Sequence, residues 1–419
     1  MKRVWMLLLS VLVAAAVAGA PAETPHRVDS VFAEIEQVLQ ELEKITGLKP
    51  LRKIQYDRIS RDGVRRYLEA QIHLTLKPSE IAIEEEVLKR FGLVPEDFDL
   101  KSSTVDLMSE QAAAFYDFRR KKLFLVESAA EELLHVALIH ELAHALADQH
   151  YSLHRFVLGV RESDDASLAR MAVMEGQATW IMSEVAARRL GLTLEKMPSM
   201  IEVVKHEAEK TASQYPTFER APLYMRETLL FPYLQGLVFQ QRVIQESGRE
   251  AFRRVFTQPP VSTQQILHPE MYLTPVTPAP PRLPEAAKKR SFKLIADGTF
   301  GELDHAVLLR VHAPDIDAAA AAAAWRGAAY RLLQRKKDRS TLFVYASNWQ
   351  DERAAQRFFR LYRRVLENKW KKLEPATSEP DLMTGLGDDG FFALRRNGTV
   401  VSSVEGMSGP EEVSAFVWP

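Results

Sequence analysis

The chain of 419 residues contains no cysteine. That absence removes disulfides, thiolate nucleophiles, cysteine-ligated zinc and lipid attachment through an N-terminal cysteine. Any metal must be held by histidine, aspartate or glutamate. An excess of one charge is also missing, with 55 Lys and Arg against 56 Asp and Glu and a formal charge of −1. Without a strongly basic balance, no nucleic-acid partner is expected. No G-x-S-x-G occurs, so the nucleophile elbow of a serine hydrolase is not in evidence. What is present, 46% hydrophobic and 26% charged residues, is a globular composition. The length suits two or three domains at roughly 100–200 residues each.

The N-terminus has a distinct order. Lys2 and Arg3 precede an apolar run from Val4 to Val17 broken only by Ser10, and small residues follow through Ala20-Pro21-Ala22. Charged, then apolar, then small is the order of a secretory signal peptide, expected over residues 1–22 with cleavage after Ala20 or Ala22. The run is shorter than the ~20 residues of a spanning helix, and no later segment reaches that length. The mature chain is therefore expected to be soluble, secreted or periplasmic, with no integral membrane span.

Periodicity divides the rest. Residues 29–47 and 82–93 repeat apolar residues at three- and four-residue intervals and read as amphipathic helices, with a strand-like QIHLTL (71–76) between them. Residues 23–100 suit a prosegment or the front of a catalytic domain. Over 113–127, two apolar-aromatic runs flank a charged RRKK, which is a hairpin pattern. Ser128 with Glu131 forms a capping-box pattern opening a helix through LLHVALIHELAHALADQH, whose apolar residues cover nearly every face, as in a buried helix. A second helix is read over 164–190, and helical text continues to about Phe256. Five prolines between Thr274 and Pro284 mark a stiff extended linker, residues 274–285. Beyond it, AVLLRV and TLFVYAS read as strands, Asp317 starts an Ala-rich helix, ERAAQRFFRLYRRVL reads as another helix, and Asn397-Gly398 turns a last hairpin. Residues 286–419 thus read as a smaller α+β domain.

The chemistry concentrates in His140-Glu141-Leu142-Ala143-His144. Histidines at i and i+4 of a helix project from one face a turn apart, where both can bind one ion. Glu141 lies beside that face, within reach of a water at the ion, as a general base must be. Two imidazoles and a carboxylate on a buried helix also need partners, which a divalent cation would supply. A catalytic zinc commonly takes three protein ligands. No third histidine follows at the metzincin spacing, whereas Glu175 sits oddly in the apolar MAVMEGQATW. Glu175 reads as the third ligand, as a solvated helix residue or as a buried partner for an arginine such as Arg170, and Gly176 beside it would let two helices approach closely. His135, on another helical face, and His150, near the helix end, read as structural or as supports behind the ligands, not as ligands.

These segments, HELAHALADQH at 140–150 and MEGQAT at 174–179, resemble the gluzincin zinc metallopeptidases, the thermolysin-like clan. FPYLQGLVFQQ and PPVSTQQILHPEMY further resemble an uncharacterised bacterial set of exported H-E-x-x-H metallopeptidases. The clan resemblance implies Zn²⁺ on His140, His144 and Glu175, with Glu141 as general base and the 113–127 hairpin on the substrate side. Asp148 occupies the place of the clan's aspartate one turn after the second histidine. Thr179 stands where the clan has the aspartate that orients the first histidine, so the chain departs from close thermolysin relatives. Asp148 and Thr179 are both candidates to hold the outer nitrogen of His140. The clan also places a Tyr or His oxyanion donor beyond the ligand glutamate, and here Tyr233 and His268 are the candidates.

The expectation is an α+β protein with a mainly helical zincin-like catalytic domain over 23–273, carrying a small hairpin or sheet, and the smaller α+β domain after the linker. Its expected activity is zinc-dependent hydrolysis of a peptide or protein substrate. An edge strand at Phe115-Tyr116 or Leu123–Val126 would pair with the extended peptide. The alternative is a non-catalytic zincin-fold binding or assembly protein of the cell envelope.

Overall fold

Helical spacing decides the first half of the computed structural model, which describes residues 28–160, 163–287 and 289–419. The expected signal peptide lies outside these residues. Apolar residues at helical intervals form α1 (Ile35–Thr46), α2 (Arg61–Thr75), α3 (Pro78–Phe91) and α4 (Leu100–Gln111). The strand expected at QIHLTL is instead the end of α2. Ser60 caps that helix by accepting from the Gly63 N–H, and Val64, Leu68 and Ile72 bury one face at intervals of four. The alternation Ile72, Leu74, Leu76 imitates a strand, but Leu74 is 71% exposed.

Between α1 and α2 runs β1 (Gln55–Ile59), and after α4 come β2 (Ala114–Asp117) and β3 (Lys122–Val126), the expected hairpin. These make a three-stranded sheet in the order β1-β3-β2, with β1 parallel and β2 antiparallel to β3. Leu123–Val126 is therefore a central strand and cannot receive a peptide, while β2 is an edge. Ala113 O accepts from Val126 N, which fixes the alternation: Phe115 directs its main-chain groups at β3, and Ala114 and Tyr116 direct theirs at the unpaired edge, which is buried.

The motif helix α5 (Glu131–Tyr151) packs on β2, β3 and α1. Its expected Ser128 capping box does not form. The turn leaving β3 uses Ala129 N to Val126 O, so Ala130 becomes the N-cap. From Ala137 to Asp148 every residue of α5 is buried. Next come α6 (Asp164–Arg189), capped by Ser163, and α7 (Leu223–Ser247), which lie along one another.

The second half is a seven-stranded antiparallel sheet in the order β4-β5-β6-β10-β9-β8-β7. Its strands are β4 (Phe292–Thr299), β5 (Trp325–Arg335), β6 (Thr341–Trp349), β7 (Leu373–Ser378), β8 (Leu382–Gly387), β9 (Gly390–Asn397) and β10 (Val400–Met407). As expected, Asn397-Gly398 turns β9 into β10, with Gly398 at φ 56°. AVLLRV, expected as a strand, belongs to helix α8 (Glu302–His312). The Asp304 carboxylate caps Gly301 N, and Leu303, Val307 and Leu308 bury at helical spacing. Asp317 does start the Ala-rich helix, though it runs only from Ala318 to Ala322. The amphipathic α9 (Glu352–Lys369) closes the same side of the sheet as α8.

The chain is thus α+β, with a helical first half and a sheet-rich C-terminal region. The Pro-rich segment between them is extended but strapped down. Ala279 N donates to Arg326 O at 2.6 Å, and a side chain at Gly327 would meet Pro280 N at 2.4 Å. The halves also share a core: Phe91 of α3 stacks on Phe300 at 4.0 Å and stands edge-on to Phe343 at 4.7 Å. Among the described residues no helix is long and apolar enough to cross a membrane.

Candidate metal centre

Two helices build the centre. On α5 the i, i+4 spacing brings the His140 and His144 rings to 4.6 Å, and α6 carries Glu175 to meet them. Both Nε2 atoms lie 3.1 Å from the same Glu175 oxygen, Oε2. The three groups are fully enclosed, and a ligand atom from each lies within 4.8 Å of the others. Glu175 is not the partner of Arg170, whose guanidinium turns to the Phe156 carbonyl.

Backbone packing sets this geometry. A Cβ on Gly176 would lie 2.1 Å from the Gly236 carbonyl carbon, and one on Gly236 would lie 2.1 Å from Ala172 O. Helices α6 and α7 therefore touch main chain to main chain next to Glu175, a contact open only to glycine. The close approach expected at Gly176 is made with α7. One turn before Gly236, Tyr233 comes to rest with its ring 6.1 Å from that of His140.

The electrostatics follow from burial. Desolvation holds the His140 pKa down at about 4, with help from the neighbouring His144. Burial opposes charge on His144 too, but Glu175 outweighs it and raises the pKa. Burial likewise works against the Glu175 carboxylate, and the two imidazoles nevertheless hold its pKa below the usual glutamate value. Glu141 has no such help: burial pushes it up to about 8. The Tyr116 N–H at the unpaired edge of β2 faces the Glu141 carboxylate without closing a hydrogen bond, and both Glu141 oxygens lack a protein partner.

The donor set fits a zinc ion. Two imidazole nitrogens and a carboxylate oxygen suit a borderline metal, whereas calcium and magnesium sites are made of oxygens. Glu175 Oε1 and His140 Nδ1 are buried without a partner, as are the Glu141 oxygens, so the pocket holds more polar atoms than the protein satisfies.

The remaining candidates divide. Asp148 does not hold His140: it accepts from Lys121 Nζ at 2.6 Å, Leu153 N at 2.9 Å and Tyr116 Oη at 3.2 Å. Thr179 Oγ1 is buried with no partner and does not reach His140 Nδ1 either. His268 is drawn elsewhere, with its Nε2 2.7 Å from Glu302 of α8 at the junction with the sheet. His135 faces Glu34, and His150 bonds the Lys49 carbonyl. Sequence reasoning passed over His154. It lines a small cavity of about 40 Å³ with Phe118, whose ring is 6.0 Å from His144, and Met174, the neighbour of Glu175. Its closeness in sequence to the motif helix was the available signal.

Residues 291–416 match a family described as a domain of unknown function (DUF8575). The match spans the seven-stranded sheet and its helices and contains none of the metal-centre residues. No curated protein and no solved structure matches the chain.

Proposed function

We propose that the protein is an exported zinc-dependent peptidase of gluzincin type, secreted or periplasmic, acting on peptide or protein substrates. His140, His144 and Glu175 hold the zinc in this reading. When bound there, zinc supplies Lewis acidity for the scissile carbonyl and lowers the pKa of the attacking water. Glu141 takes the proton from that water and delivers it to the leaving amine. The main-chain groups of Ala114 and Tyr116 align an extended peptide along the edge of β2. Tyr233, beside His140, donates to the developing oxyanion.

The observation that carries this reading is the Glu141 carboxylate, buried next to the ligand triad with neither oxygen bonded to protein. A purely structural or binding site of the cell envelope has no use for such a group. Metal analysis of the purified mature protein should find about one zinc per chain, held by three first-sphere residues. His140→Ala, His144→Ala and Glu175→Gln should each lose most of it, along with hydrolysis of a peptide library. Full zinc and activity in Glu175→Gln would remove the third ligand. Wild-type zinc with no hydrolysis of any library member would favour the non-catalytic alternative.

A further inference from the structure

A cleft separate from the metal centre opens where the helical half meets the sheet. It encloses about 340 Å³, at the small end of the range for small-molecule sites. The start of α6, the Pro260–Val261 turn, the Pro-rich strap and the first residues of β5 bound it. Val160, Ala166, Pro260, Pro278, Pro280 and Trp325 give it largely apolar walls.

One charged group on these walls lacks what its chemistry asks for. Arg170 is half-buried, its guanidinium 5.3 Å from the Phe156 ring, and Nη1 donates to Phe156 O at 2.8 Å. Its Nε is enclosed with no acceptor, and no carboxylate pairs with it among the described residues. Burial works against this charge and lowers the pKa. Two more deeply enclosed arginines do have carboxylate partners: Arg90 pairs with Glu86 and Asp389, and Arg335 with Glu412. Asp165, also on the wall, turns inward to accept from Thr263 and is 2% exposed. Trp325 closes the cleft floor with an indole that is 1% exposed and packs beside His305.

We propose that this cleft binds a small carboxylate with an apolar body. The guanidinium of Arg170 takes the carboxylate, and the prolines enclose the hydrocarbon. A lone guanidinium matches a single negative charge, whereas a phosphate dianion asks for several cations or main-chain donors. Two sources share this chemistry: a free organic acid and the C-terminal carboxylate of a peptide.

Calorimetric titration of the full mature chain with hexanoate, N-acetylleucine and N-acetylleucinamide tests the site. The acids should bind and the amide should bind about tenfold weaker or worse, because it lacks the charge. Arg170→Gln should weaken the acids by about tenfold or more, the usual effect of losing a charged hydrogen bond. Val261→Trp, at a lip residue that is 41% exposed, should block the cleft in a folded protein. Tighter binding of N-acetylleucine than of hexanoate identifies a peptide terminus, and the reverse a free acid. Equal binding of acid and amide, acid binding that survives both substitutions, or no heat from any probe at millimolar concentration overturns the proposal.

Discussion

In the sheet half, His305 is fully buried with Nδ1 2.7 Å from Gly301 O and Nε2 2.6 Å from Tyr345 Oη, so one nitrogen donates and the other accepts. Glu405, linked to it through the stacked Tyr345 and Tyr362 rings, accepts from Lys369, Tyr362 and Ser403. In the helical half, His140 is buried as deeply with Nδ1 unbonded, and both oxygens of Glu141 are unbonded too. A complete polar network fixes the packing of the elements that share it. An incomplete one raises the energy of its members and leaves them ready for something the protein does not contain. The first kind marks architecture and the second marks chemistry.

The sharpest way to break this contrast is to remove one partner from each cluster. Lys369→Met leaves the Glu405 carboxylate buried beside an apolar chain, and should cost ~3–5 kcal/mol in urea unfolding. The pair is 3% and 0% exposed, so solvent cannot take over. Loss of less than about 1 kcal/mol would mean that the network is not architectural.

Glu141→Gln is the matching change in the other cluster, and its effect should fall on rate. Peptide hydrolysis should drop by ~10²–10⁴, the usual weight of a general base. Stability should hold or rise, since the amide removes a carboxylate whose charge burial disfavours. A variant as active as wild type ends the mechanism, and a variant that loses its zinc makes Glu141 a ligand.

Gly236→Ala tests the framework under the reactive cluster. The added methyl meets Ala172 O at 2.1 Å and must push α7 from α6, at a cost of ~1–3 kcal/mol. Because Tyr233 and Glu175 flank this crossing, hydrolysis should fall further than stability does. Unchanged unfolding and unchanged activity together would show that the helices can separate freely.

How much of this was legible depends on how far apart the partners lie in the chain. His140, Glu141 and His144 are related by the pitch of one helix, and Glu175 stood out as a charge in apolar text. The structure brings all but Glu141 to a single point, and places Glu141 beside them. The attachment of His268 to Glu302 and of Asp148 to Lys121 depends on tertiary packing that no local pattern encodes. The same limit explains β3: its hairpin with β2 was local and readable, whereas its parallel partner β1 lies more than sixty residues earlier and turns an apparent edge into a centre. QIHLTL and AVLLRV failed for a different reason. Short apolar runs suit either period, and capping by Ser60 and Asp304 decided for helix.

The smallest expected effect is a pH dependence that sets the satisfied cluster apart. Desolvation holds His305 down at about 4, far below the ordinary 6.5. Folded protein therefore keeps this ring neutral as acid is added, while the unfolded chain takes up a proton near 6.5. Between those values the unfolded state binds more protons, so the contribution of His305 to stability is complete above the upper value and is lost progressively as the pH falls towards the lower one. From about pH 7 to about pH 5.5 the loss from this residue should be about 1 kcal/mol. Site-resolved NMR separates it from other histidines: the His305 ring signals should stay unchanged down to about pH 5, since protonation would break the bond that the Tyr345 hydroxyl donates to Nε2. A midpoint near the ordinary value would show that water or a rearranged network reaches His305. The sheet cluster would then be as incomplete as the metal centre, and the contrast between the two halves would be lost.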